Sequence, residues 1–67
     1  MEILLNNRRE SFDTEALTVS EVLALKKFTF RMLVVKINGE LVKKEQYGSA
    51  TIKHGDEVII LHLISGG

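Results

Sequence analysis

The sequence predicts a single α+β domain in which a mixed sheet of four to five strands is covered on one face by one main helix. Three observations lead there. Runs of β-branched and apolar residues open the chain at Met1-Glu2-Ile3-Leu4-Leu5, recur at Leu33–Ile37 and close it at residues 57–64. One helix start, Thr18-Val19-Ser20-Glu21, stands between the first run and the second. Finally, 67 residues leave room for one domain, residues 1–67, with Ser65-Gly66-Gly67 as a free tail.

Each element follows from local chemistry. Asn6-Asn7 is a turn signal directly after the first strand, so residues 8–13 are expected to return as an edge strand, polar apart from Phe12. Thr18 and Glu21 fit a capping box, in which each side chain satisfies a backbone N–H of the other. Val19, Val22, Leu23 and Lys26 then follow at i, i+3, i+4 and i+7; the first three bury one stripe over roughly three turns and the lysine marks the exit from the core. Asn38-Gly39, where both positions tolerate positive φ, predicts a tight hairpin between Leu33–Ile37 and Glu40–Val42. Residues 43–50 have neither period; they read as a polar crossing anchored by Tyr47, with space for a short helical turn. His54-Gly55-Asp56 is a turn, and residues 57–64 are apolar enough to run through the centre of a sheet.

Composition narrows function. Hydrophobic residues make up 45% and charged residues 27%, the balance of a folded domain. Nine Lys plus Arg offset nine Asp plus Glu, so there is no net basic footprint for nucleic acid, and Lys26-Lys27 and Lys43-Lys44 are too short to be basic tracts. With no cysteine, disulfides, thiolate metal sites and cysteine nucleophiles are all excluded. The apolar stretches fall far short of the ~20 residues that span a bilayer, and the acidic start is unlike a signal peptide, so a cytoplasmic protein with no membrane partner is expected.

Placing the two most apolar strands, the first and the last, side by side in the middle with the helix on one face gives a β-grasp arrangement. If Ile3 and Leu5 face the helix, alternation puts Val35, Ile37, Val58 and Ile60 on the same inner side, with Phe12, Val42, Tyr47 and Ile52 closing its ends. The opposite parity leaves Leu4, Val34, Ile59, Leu61 and Leu63 on the open face with Lys36 in their midst, more apolar surface than a solitary small domain usually shows. A partner is expected to dock there.

With these pieces in order, the sequence resembles the ubiquitin-like sulfur carriers, and the ThiS type of thiamine biosynthesis more than the MoaD type of molybdopterin biosynthesis. The resemblance rests on Met1-Glu2-Ile3-Leu4-Leu5-Asn6, Thr18-Val19-Ser20-Glu21-Val22-Leu23, Ile37-Asn38-Gly39-Glu40, Gly55-Asp56-Glu57-Val58 and Ile64-Ser65-Gly66-Gly67, and runs over the whole chain. It departs where many relatives carry Val-Pro-Arg and this chain has Val42-Lys43-Lys44.

The resemblance implies a substrate and carrier, not an enzyme, with no catalytic residue and no cofactor of its own. A terminal carboxylate, with a pKa near 3.5, is charged and poorly electrophilic at neutral pH, so Gly67 must be activated before a sulfur nucleophile will attack it. The implied partners are a ThiF-like adenylyltransferase that uses ATP and magnesium to make the acyl-adenylate, a persulfide donor that displaces AMP and leaves a thiocarboxylate, and a ThiG-like thiazole synthase that receives the sulfur. Ser65, Gly66 and Gly67 would thread into the partner's active site, their three extended residues reaching roughly 10 Å. The free chain is expected to be monomeric. A MoaD-like or transfer-RNA-thiolating carrier, a ubiquitin-like modifier conjugated through Gly67 and a plain interaction domain remain alternatives.

The other chemistry-bearing residues make no site. His54 and His62 have no spaced carboxylate or thiol to complete a metal set, Asp56 shapes its own turn, and no glycine-rich phosphate loop exists, so ATP belongs to the partner.

Overall fold

A computed structural model describes residues 1–29 and 32–63. The element order is β1 (Glu2–Leu5), β2 (Arg8–Ser11), β3 (Ala16–Thr18), α1 (Val19–Leu25), β4 (Leu33–Ile37), β5 (Glu40–Val42), a 3-10 turn (Lys44–Gln46), β6 (Thr51–Lys53) and β7 (Glu57–His62). Five strands form one sheet in the order β2-β1-β7-β4-β5, with β1 and β7 parallel and the other pairs antiparallel. The expected central pairing of first and last strands is what the sheet contains, and the arrangement is a β-grasp.

Both predicted hairpins close through paired left-handed residues, Asn6 (φ 52°) with Asn7 (φ 68°), and Asn38 (φ 51°) with Gly39 (φ 85°). That backbone twist matches the twist of the flanking strands, which is why Asn and Gly occupy these positions. The second strand ends at Ser11, short of the expected residue 13, and β7 ends at His62, with Leu63 beyond it and Ile64 outside the described residues.

The capping box is present in full: Glu21 N–H donates to Thr18 Oγ1 at 3.2 Å and Thr18 N–H to Glu21 Oε1 at 2.8 Å. At the other end Phe28 N–H reaches Leu23 C=O (2.9 Å) and Lys27 N–H reaches Ala24 C=O (3.2 Å), with Lys27 left-handed at φ 59°. This is a Schellman termination with lysine where glycine is usual. It stops α1 after seven residues, about two turns, not the three that the spacing predicts. Lys26, expected to mark the helix exit, pairs its Nζ with Glu10 Oε1 at 2.9 Å and so ties the end of α1 to β2.

The core is Ile3, Leu5, Val19, Val22, Val35, Val42, Ile52, Val58 and Ile60, with Phe12, Leu23, Ile37 and Tyr47 half-buried against it. A second sheet, β3 with β6, was not expected: Leu17 opposes Ile52 in a three-residue antiparallel ladder that seals the end of the core beside α1. Leu17 and Ile52 are the only large apolar residues of its two strands, too little for alternation to register.

Candidate functional site

Gly67, Gly66 and Ser65, the residues expected to carry the chemistry and to thread into a partner, lie outside the described residues. What the structure describes is the sheet face built by the strands that precede them in sequence. Strand alternation turns Val34 and Lys36 of β4, Ile59 and Leu61 of β7 and Leu4 of β1 away from the core, so five of the six predicted docking residues share the face opposite the helix. Register then divides them. Val34 stands opposite Leu61, and Lys36 opposite Ile59, forming one cluster on the two strands nearest the chain's exit. Leu4 sits at the other end of the face, between Arg9 on β2 and Glu57 on β7.

One member was missed. Leu41 on β5 opposes Lys36 on its other side and is 60% exposed, the same as Leu25 and more than Leu61 at 52%. The two-residue Asn38-Gly39 turn already fixes this pairing, because residues equidistant from such a turn face each other on one side of the hairpin. The cluster is therefore Val34, Leu41, Ile59 and Leu61 around the ammonium of Lys36, which makes no ion pair with a described residue. Apolar side chains around a cation with no ion pair among the described residues suit a partner surface with an aliphatic patch and a carboxylate.

Leu63 lies one residue past β7 and lines a separate apolar groove of about 360 Å³ with Leu23, Phe28, Met32, Leu33 and Tyr47. Its surroundings are therefore partly the helix side, unlike the rest of the predicted set. A larger, more polar groove of about 510 Å³ runs between β5 and β6, and includes Glu40, Lys53 and Asp56. Two of the polar groups nearest it are committed to structure: Asp56 accepts from Lys53 N–H at 2.9 Å and from Asn38 Nδ2 at 3.1 Å, while Asn38 Oδ1 accepts from Glu57 N–H at 2.9 Å. These bonds stitch the Asn38-Gly39 turn to the His54-Gly55-Asp56 turn, in keeping with the structural role expected of Asp56.

His54 accepts the Glu2 N–H through Nδ1 at 3.0 Å and so joins the same turn to β1. Among the described residues no three His, Asp or Glu side chains converge as a ligand set, and no polar or charged residue is buried.

Comparison with known proteins bears on the same chain. The model of the ThiS family matches residues 2–67. The crystal structure of a thiamine biosynthesis protein, ThiS, from Geobacter metallireducens superposes with a TM-score of 0.89 at 32% identity, covering 100% of both chains. A solution structure of a thiamine biosynthesis protein from the same organism gives a TM-score of 0.80 at 32% identity, over 100% of this chain and 88% of that one. No curated protein matches at the same stringency. No helix among the described residues is long and apolar enough to cross a membrane. With the family match running from the first strand through the terminal glycines, and a solved ThiS protein that shares the fold over the whole of both chains, the chain belongs to the ThiS family, the small sulfur carriers of thiamine biosynthesis.

Proposed function

We propose that the carboxyl group of Gly67 is the working atom set of this protein: it is adenylated by a ThiF-like partner, converted to a thiocarboxylate, and donates that sulfur to a ThiG-like thiazole synthase. The observation that carries this reading is the family match, which runs through residue 67. The carboxylate attacks the α-phosphate of ATP, which the partner binds with magnesium, and pyrophosphate leaves. A persulfide sulfur then attacks the acyl carbon and expels AMP, and a thiol reduces the resulting acyl disulfide to release the thiocarboxylate. The absence of cysteine leaves no side-chain thiolate to compete for the activated acyl group. The reaction belongs to the cytoplasm, and the free carrier is monomeric.

In this scheme Leu4, Val34, Lys36, Ile59, Leu61 and Leu63, together with Leu41, dock the body while Ser65, Gly66 and Gly67 enter the partner. The test is ATP–pyrophosphate exchange by the partner adenylyltransferase. Exchange that depends on this chain is expected, and its absence at saturating chain would contradict adenylation. Leu61→Ser, which removes an exposed aliphatic side chain, is expected to raise the KM for the chain about tenfold with kcat unaltered. An unchanged KM would take the open face out of the docking surface. Ladders of covalent conjugates in place of exchange-coupled sulfur transfer would favour the modifier.

A further inference from the structure

Among the described strands, β7 pairs with both β1 and β4 where it enters the sheet, and its ladder continues with β4. Towards β4 the ladder runs its full length, from Ile37 opposite Val58 to Leu33 opposite His62, and Leu63 N–H adds a bond to Met32 C=O at 2.9 Å. Towards β1 the ladder stops early. Leu5 stands opposite Val58, Asn6 N–H donates to Val58 C=O at 2.9 Å, and the Asn6-Asn7 turn then carries the chain away.

The next β7 residue facing that edge is Ile60, only 5% exposed, whose backbone groups have no strand to meet. Unpaired backbone groups at such a position are costly. The side chain of Asn6 meets both. Its Oδ1 accepts from Ile60 N–H at 2.8 Å and its Nδ2 donates to Ile60 C=O at 3.0 Å. A carboxamide carries an acceptor and a donor side by side, as a peptide group does, so one side chain supplies the pair of bonds that a further β1 residue would have made. Asn also tolerates the left-handed φ of 52° at this turn.

We propose that Asn6 is a positioning residue for sulfur transfer: by clamping Ile60 on the edge that β1 does not reach, it holds the end of the strand that precedes Gly67 by seven residues. Without the clamp, Ile60 loses both bonds on that edge, and among the bonds described the last residues of β7 keep those to β4 and to Met32. Misplacement of a reacting group shows in the rate of the chemical step, not in the docking affinity of a distant surface. The inference rests on the proposed adenylation of Gly67, and its test separates the two.

Two variants keep the left-handed turn. Asn6→Gly removes the carboxamide; Asn6→Asp keeps the acceptor for Ile60 N–H but sets a carboxylate against Ile60 C=O. Thr18→Ala, which breaks the capping box of α1, serves as a destabilised control away from the β7 exit. The measurements are hydrogen exchange at the Ile60 amide and chain-dependent ATP–pyrophosphate exchange, at a temperature where circular dichroism shows all chains folded. For Asn6→Gly the Ile60 amide is expected to exchange at least about tenfold faster. Its kcat is expected to fall about tenfold to a hundredfold with KM within about threefold, Asn6→Asp lying between it and the parent and Thr18→Ala matching the parent. A parent-like kcat in Asn6→Gly, or an equal loss in Thr18→Ala, would overturn the positioning role while leaving adenylation of Gly67 intact. If the parent itself supports no exchange, the functional reading fails and the positioning role fails with it.

Discussion

Deleting Gly67 is expected to reduce adenylation of the chain at least about a hundredfold while leaving its docking and stability unchanged. The reasoning is geometric. The shortened chain still ends in a glycine carboxylate with the same intrinsic reactivity, but that group stops about 3.3–3.6 Å short of where the partner's active site would receive it. If the body docks through Val34, Lys36, Leu41, Ile59 and Leu61 as proposed, it cannot advance to make up the difference without giving up those contacts. Chain-dependent pyrophosphate exchange measures the chemistry, and competition by the deleted chain against the parent measures docking. Loss of exchange with competition preserved is the expected pattern. Retained exchange would show that the reacting atoms are not those of Gly67, and loss of both would tie the terminus to docking as well.

The largest effect on stability is expected from Ile52→Ala. Ile52 is fully buried although it belongs to β6, one of the two short strands that pair outside the main sheet. Removing three carbons from a sealed position costs the transfer free energy of those atoms and leaves a cavity, together about 3 kcal/mol. A domain of this size has only a few kcal/mol to lose, so Tm should fall by more than about 10 °C. Leu41→Ala, at a position 60% exposed, should change stability by less than about 0.5 kcal/mol. Urea denaturation of both variants checks the pair. A loss below about 1 kcal/mol for Ile52→Ala would mean that the β3–β6 sheet is an appendage and not a wall of the core.

The features legible in the sequence are those whose cause is local. The Thr18–Glu21 capping box, the Asn38-Gly39 hairpin and the apolar run of β7 each lie within a few residues, and the structure contains all three. The Schellman stop at Lys27 was hidden because lysine gives no hint of a left-handed conformation where glycine would. The β3–β6 sheet was hidden because a ladder of three pairs, joining residues 33 to 37 positions apart, leaves no periodic trace in either strand. The open face was readable by parity alone, and even Leu41 could have been placed by counting outward from its turn. The Asn6 carboxamide could not. Its bonds cross 54 residues of sequence to a backbone, so nothing about Ile60 as a residue type announces them.

The central claim is that sulfur rides on the terminal carbonyl carbon of this chain, and the intact mass of the protein tests it most directly. After incubation with its adenylyltransferase, ATP and a persulfide donor, the chain should gain about 16 Da, the replacement of one oxygen by sulfur, confined to the C-terminal peptide that ends in Gly67. An unchanged mass under conditions where the partner turns over ATP, or a gain located anywhere else in the chain, would contradict it.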